Sequence, residues 1–149
     1  MNADGHGVTR CTGWKLVALL WLAAVGACDS RPTAPETRAS YFVEKFIVDP
    51  QNEDDLRSVT ALSENESPET LVNDLQTRAA VSYLRARHRL GAQFGFHIAG
   101  TSRMKSGNKV VNVVVSEGVA TVGKEAVVRF QVELRNQDRS WVVVRLQSD

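Results

Sequence analysis

Arg78, Arg85 and Arg89 are the residues of this chain whose type and spacing best suit binding chemistry. A guanidinium group offers a fixed fork of donors that matches a carboxylate or a phosphate. On a helix of about 100° per residue the three fall within about 40° of one another. Such a rim would receive an anionic group or an acidic partner. The alternative is that the three arginines lie over the edge of a core and pair with nearby acids.

Other reactive types are present but poorly placed. His6 stands near the N-terminus, and His88 and His97 are isolated from acids at ligand spacing, so no metal site is expected. His88 shares its helical stretch with Arg85, Arg87 and Arg89, which predicts a solvated face. Asp54-Asp55 and the pair Glu64 and Glu66 lie in polar, loop-like surroundings. A catalytic carboxylate needs a shielded setting that tunes its pKa, so these read as solvated acids. There is no G-x-S-x-G elbow and no glycine-rich phosphate loop after a strand. No catalytic set and no cofactor are expected.

Cys28 is the remaining reactive group, and its setting is specific. An apolar run from Leu16 to Ala27 precedes it, with Arg10 and Lys15 ahead of the run. Twelve residues are too few to cross a bilayer core, which takes about 20. They suit the apolar region of a secretory signal. Val25-Gly26-Ala27-Cys28 resembles the lipobox of bacterial lipoproteins: an aliphatic residue, two small ones and a cysteine. The resemblance implies a diacylglycerol on the Cys28 sulfur, cleavage before Cys28 and a membrane partner reached through that lipid. Two or three acyl chains anchor stably where one holds only marginally. Asp29 resembles an inner-membrane retention signal, with the outer membrane as the alternative. The expected location is the cell envelope, facing the periplasm.

On that reading residues 28–149 remain, enough for one domain with a core of its own. Cys11 leaves with residues 1–27 and Cys28 carries lipid, so the domain holds no disulfide and no thiol nucleophile. Its charge is balanced but uneven. Residues 29–76 carry eleven acids and four bases, and residues 77–149 five acids and twelve bases. The two parts neutralise each other on folding, or they give a dipolar surface that orients the domain against a charged partner. Export and the lack of a basic-aromatic cluster argue against nucleic acid.

The elements follow from pattern. Asp29 to Ser40 holds two prolines and no large apolar residue, which predicts a flexible tether over residues 28–40. The folded domain is then 41–149. Tyr41, Phe42 and Phe46 recur at helical spacing, and Pro50 ends that helix near Val48. Asn52 to Asp55 caps a short turn. Ser67-Pro68-Glu69 reads as a helix start: Ser caps, Pro takes the first position and Glu faces the helix dipole. That helix is expected to run to Leu90, with Gly91 as its stop. Its apolar stripe is Val72, Leu75, Ala79, Tyr83, Ala86 and Leu90, which places Tyr83 inward.

After Gly91 the period becomes two. Phe94, Phe96 and Ile98 alternate with His97, and Gly100 to Asn108 is a loop carrying Arg103 and Lys105. Lys109 to Ser116 is a β-branched run, Val119–Val122 a short strand, Val128 to Leu134 a strand with one buried face, and Trp141 to Leu146 the last strand. Helices first and strands afterwards predict an α+β domain, with the helices packed on a curved antiparallel sheet of four to five strands.

The layout of the amphipathic helix 68–90 and the closing strands Val127–Leu134 and Trp141–Leu146 resembles cystatin-like and nuclear transport factor two-like rolls of small bacterial lipoproteins. The resemblance implies an apolar pocket between helix and sheet. The anchor, the tether and the lack of a catalytic constellation predict a non-catalytic domain that binds an envelope protein partner or a small apolar ligand. Two alternatives stay open. One is a small enzyme using an acid or Tyr83 in that pocket. The other is a protective inhibitor or immunity-type lipoprotein acting through the loop with Arg103 and Lys105.

Overall fold

The computed structural model describes residues 34–118 and 126–149. Contacts divide the chain into one unit at 1–31 and another at 32–149, and the described residues all belong to the second. The signal-like segment, Cys28 and the expected strand Val119–Val122 lie outside the described residues.

The first helix, α1 (Pro35–Val48), begins with Pro at its first position and Glu36 in its first turn, and has Lys45 in its last. All three suit the orphan donors and dipole of a helix. It starts earlier than the sequence pattern suggests. Arg38 and Ala39 are buried, and the Arg38 guanidinium donates to the Trp141 carbonyl at 2.7 Å. Residues 35–40, expected as tether, therefore belong to the fold. The buried face of α1 is Ala39, Phe42, Val43, Phe46 and Ile47, with the Phe42 and Phe46 rings stacked 5.3 Å apart.

A short helix α2 (Glu53–Arg57) follows, capped by Asn52, whose side chain accepts from the Asp55 amide. Ser67 caps only a 3-10 turn, Pro68–Leu71. The long helix α3 (Leu75–Arg89) starts afresh at Asp74 rather than continuing from Pro68. It ends where expected. Gly91 takes φ 93°, its amide donates to the His88 carbonyl at 2.9 Å, and the Ala92 amide reaches the Arg87 carbonyl at 3.0 Å. This paired closure satisfies carbonyls that have no partner inside the helix, and it requires the left-handed backbone that glycine adopts at no cost.

Four strands form an antiparallel meander in the order β1 (Phe94–Arg103), β2 (Lys109–Glu117), β3 (Ala126–Gln137) and β4 (Ser140–Ser148). The inward rows Val111, Val113 and Val115 of β2, Phe130, Val132 and Leu134 of β3, and Val143 and Leu146 of β4 are buried with α1 in one core. Alternation of inward apolar and outward polar residues is what one covered face requires. Register shifts at Ile98/Gly100, Val115/Ser116 and Glu133/Leu134 mark irregularities that bend strands. The domain is thus α+β, with helices packed against a four-stranded antiparallel sheet.

The two edges of the sheet differ. The outer side of β4 is covered by isolated parallel bridges, Thr60 with Val143 and Val72 with Leu146. The Ala61 amide donates to the Val143 carbonyl at 3.1 Å, and the Val143 amide to the Val59 carbonyl at 2.9 Å. β1 ends the sheet on the other side, and among the described residues no strand pairs with its outer edge.

Candidate functional site

The seating of α3 decides which residues can form a site, and it differs from the expected one. The buried residues of α3 are Thr77, Val81 and Leu84. Of the stripe read from the sequence, Val72 precedes the helix and is buried, while the part on α3 faces outward: Leu75 is 83% exposed, Leu90 80% and Tyr83 51%. Tyr83 therefore stands on the outer surface and not in a pocket. The physical cause lies at the start of the helix. Asp74 accepts from the Thr77 amide and from its hydroxyl, both at 2.7 Å, and the Ser148 amide donates to the Thr77 hydroxyl oxygen at 2.7 Å. These bonds pin the first turn of α3 to the end of β4 and bury a threonine. With the amide and hydroxyl of Thr77 both donating to it, Asp74 is held below its usual carboxylate pKa.

The last turns of α3 are fixed by arginines. Arg85 donates twice to the Phe46 carbonyl, at 2.9 and 2.7 Å, and pairs with Glu69 at 2.8 Å. Its guanidinium also lies 4.4 Å from the centre of the Phe46 ring. It thereby answers an open carbonyl at the end of α1 and joins α1, α3 and the 3-10 turn. Arg87 pairs with Glu117 at the end of β2. Arg78 donates to the Val72 carbonyl at 3.3 Å and is otherwise exposed. Arg89 is exposed and forms no ion pair among the described residues.

Two adjoining clefts open beside this junction. One, of about 390 Å³, has Val48, Phe94 and Phe96 as its apolar lining and Glu44, His88 and Gln93 as its polar lining. The other, of about 460 Å³, lies between the end of α1 (Ile47 to Gln51) and Arg85, His88 and Arg89 of α3. Val48 and His88 line both. Of the expected arginine rim, Arg85 and Arg89 meet at the second cleft and Arg78 does not. Arg85 already carries Glu69, so Arg89 and Asp49 are the charges of that cleft without an ion pair among the described residues. His88 sits between the clefts, with Nδ1 3.3 Å from the Ala92 carbonyl, rather than on a solvated face.

Sequence reasoning missed His88 and the contribution of Val48. A signal for His88 was available: Thr77, Val81, Leu84 and His88 recur at spacings of 4, 3 and 4, a second helical stripe opposite the more apolar one.

The other candidates take ordinary roles. Asp55 accepts from the Asn52 side chain at 2.9 Å and lies 3.6 Å from Lys45. Glu66 accepts from the Ser63 amide and hydroxyl, both at 2.9 Å, and these bonds hold its pKa below the usual carboxylate range. A lowered carboxylate is a poor proton donor near neutral pH. His97 is exposed. Arg103 ends β1, and Lys105 lies in a short closed turn, with the Met104 amide on the Asn108 carbonyl at 2.8 Å. Among the described residues no group of three or more His, Cys, Asp or Glu is placed to hold a metal ion. No helix among them is long and apolar enough to cross a membrane.

No family model matches the chain. No curated protein matches it either. Among solved structures the chain is similar to a designed nuclear transport factor two-like protein, at 13% identity and a TM-score of 0.43, covering 75% of this chain and 94% of that one.

Proposed function

We propose that this chain is a cell-envelope lipoprotein, anchored by lipid on Cys28, whose α+β domain binds a small apolar ligand in the cleft between Val48 and the Phe94–Phe96 end of β1. The observation that carries the binding reading is that cleft itself: about 390 Å³ lined by two partly buried phenylalanines, a valine and three polar groups. Small-molecule sites have this composition, a mostly apolar wall with a few polar groups that orient the ligand. The anchor is supported by the apolar run Leu16 to Ala27 and by Val25-Gly26-Ala27-Cys28.

Two measurements test the halves separately. Intact mass and membrane partition of the protein from its host, beside Cys28→Ser, should give a lipid-bearing chain starting at Cys28 that the variant lacks. An unlipidated mass in the wild type removes the anchor. For the cleft, decanol titrated by calorimetry should bind saturably, and Phe96→Ser should weaken it at least about tenfold, since a buried phenyl ring contributes about 1.5–3 kcal/mol. Equal binding by the variant, or none by the wild type, removes the ligand reading.

A further inference from the structure

α3 carries two apolar faces, and only one of them is used inside the domain. Opposite Thr77, Val81 and Leu84 run Leu75, Ala79, Tyr83, Ala86 and Leu90, which share an arc of about 80° at 100° per residue. Leu75, Tyr83 and Leu90 are among the most exposed large apolar residues described. Arg78 and Arg89 flank this ridge on one side, and α3 contains no acid at all. Neither arginine has an ion pair among the described residues.

We propose that this outward face of α3 lies on an anionic lipid bilayer. Three observations favour lipid over a protein. An apolar ridge with a tyrosine, flanked by arginines and free of acids, has the composition of helices that rest in a membrane interface. A two-fold antiparallel pairing of α3 with a second copy would set Arg78 against Arg89 of the other chain, cation against cation. The ridge is also small. A helix of 15 residues is about 22 Å long and about 10 Å across, so the face offers about 220 Å². A stable protein interface takes about 800 Å² from each partner.

A bilayer contact needs far less when the domain is already tethered, because the tether supplies the effective concentration. This gain rests on the anchor proposed above. Pro35, the first residue of α1, comes seven residues after Cys28, and that stretch spans at most about 24 Å. The lipid would hold the domain within about one helix length of the surface.

The test uses the full chain from host membranes, reconstituted into vesicles of equal parts phosphatidylglycerol and phosphatidylcholine or of phosphatidylcholine alone. A bimane label on Ala79→Cys reports burial through quenching by brominated acyl chains, and the same label on Ser106→Cys, in the β1–β2 turn, is the reference. Quenching at 79 and not at 106, confined to the phosphatidylglycerol vesicles and reduced by salt, is the expected result. Arg78→Gln combined with Arg89→Gln should lower the docked-to-free ratio about thirtyfold. Leu75→Ser combined with Leu90→Ser should abolish quenching with the fold intact by circular dichroism. No quenching at 79 in the anionic vesicles overturns the proposal. So does a label shielded without vesicles in a species of twice the chain mass, which assigns the face to a second copy. Quenching at 79 in a chain whose mass shows no lipid on Cys28 keeps the surface and removes the anchor.

Discussion

The two faces of α3 both carry apolar side chains and are opposite in fate. The inner one holds Thr77, Val81 and Leu84 and is buried; the outer one holds Leu75, Tyr83 and Leu90 and faces solvent. Judged by side chains alone, the outer face is the more apolar. What turned the helix is polar: Asp74 and Ser148 on Thr77 at one end, and Arg85 on the Phe46 carbonyl and Arg87 on Glu117 at the other. Each is a directed bond with fixed geometry, whereas hydrophobic burial has no direction of its own. On a helix with two apolar arcs, the directed bonds choose.

The contrast between the faces breaks most readily from the inner one. Leu84→Ala deletes a fully buried side chain and should cost about 2–5 kcal/mol in denaturant unfolding. Next comes Thr77→Val, which keeps the volume, removes the hydroxyl and leaves the Ser148 amide without its acceptor. It should cost about 1–3 kcal/mol, and a loss under about 0.5 kcal/mol would mean the bonds to Thr77 do not hold the helix in place.

The same cap should show in pH. Asp74 is held below its ordinary pKa when folded, so between its unfolded and folded values the unfolded chain binds more protons. Its contribution is therefore complete above the ordinary carboxylate pKa of about 3.9 and disappears as the pH falls through the lower folded value. Asp74→Asn retains a capping oxygen and does not titrate. The stability difference between wild type and this variant should shrink on acidification through that window; a difference that is flat with pH would contradict the assignment.

A smaller effect is expected at the end of the helix, where Gly91→Ala meets open space but must adopt φ 93°. That should cost about 1 kcal/mol. On the outer face Leu90→Ser should change stability by less than about 0.5 kcal/mol, despite removing a leucine. A loss comparable to that of Leu84→Ala would show that the outer face is covered in solution.

The strands were legible because alternation has one meaning on a half-covered sheet. Val128, Phe130, Val132 and Leu134 can put their apolar face inward in only one way, and β2, β3 and β4 appear within a few residues of expectation. The start of α1 was hidden by Pro35 and by polar Thr37 and Ser40, which read as linker. There Arg38 enters the structure through a carbonyl more than a hundred residues away, a contact that no local pattern encodes. The clefts were only half legible. Phe94 and Phe96 announced a strand face, and Arg85 and Arg89 a shared arc, but His88 joined them only once α3 was turned.

The unequal edges of the sheet carry a consequence for self-association. An exposed edge strand is a template for another chain. In this domain Thr60 and Val72 bridge to the outer side of β4, whereas among the described residues no strand pairs with the outer edge of β1. Two chains joined β1 to β1 would each use the sheet edge that no strand covers among the described residues. As far as the described residues go, strand addition through β1 would close at a two-fold pair and would not extend into a fibre.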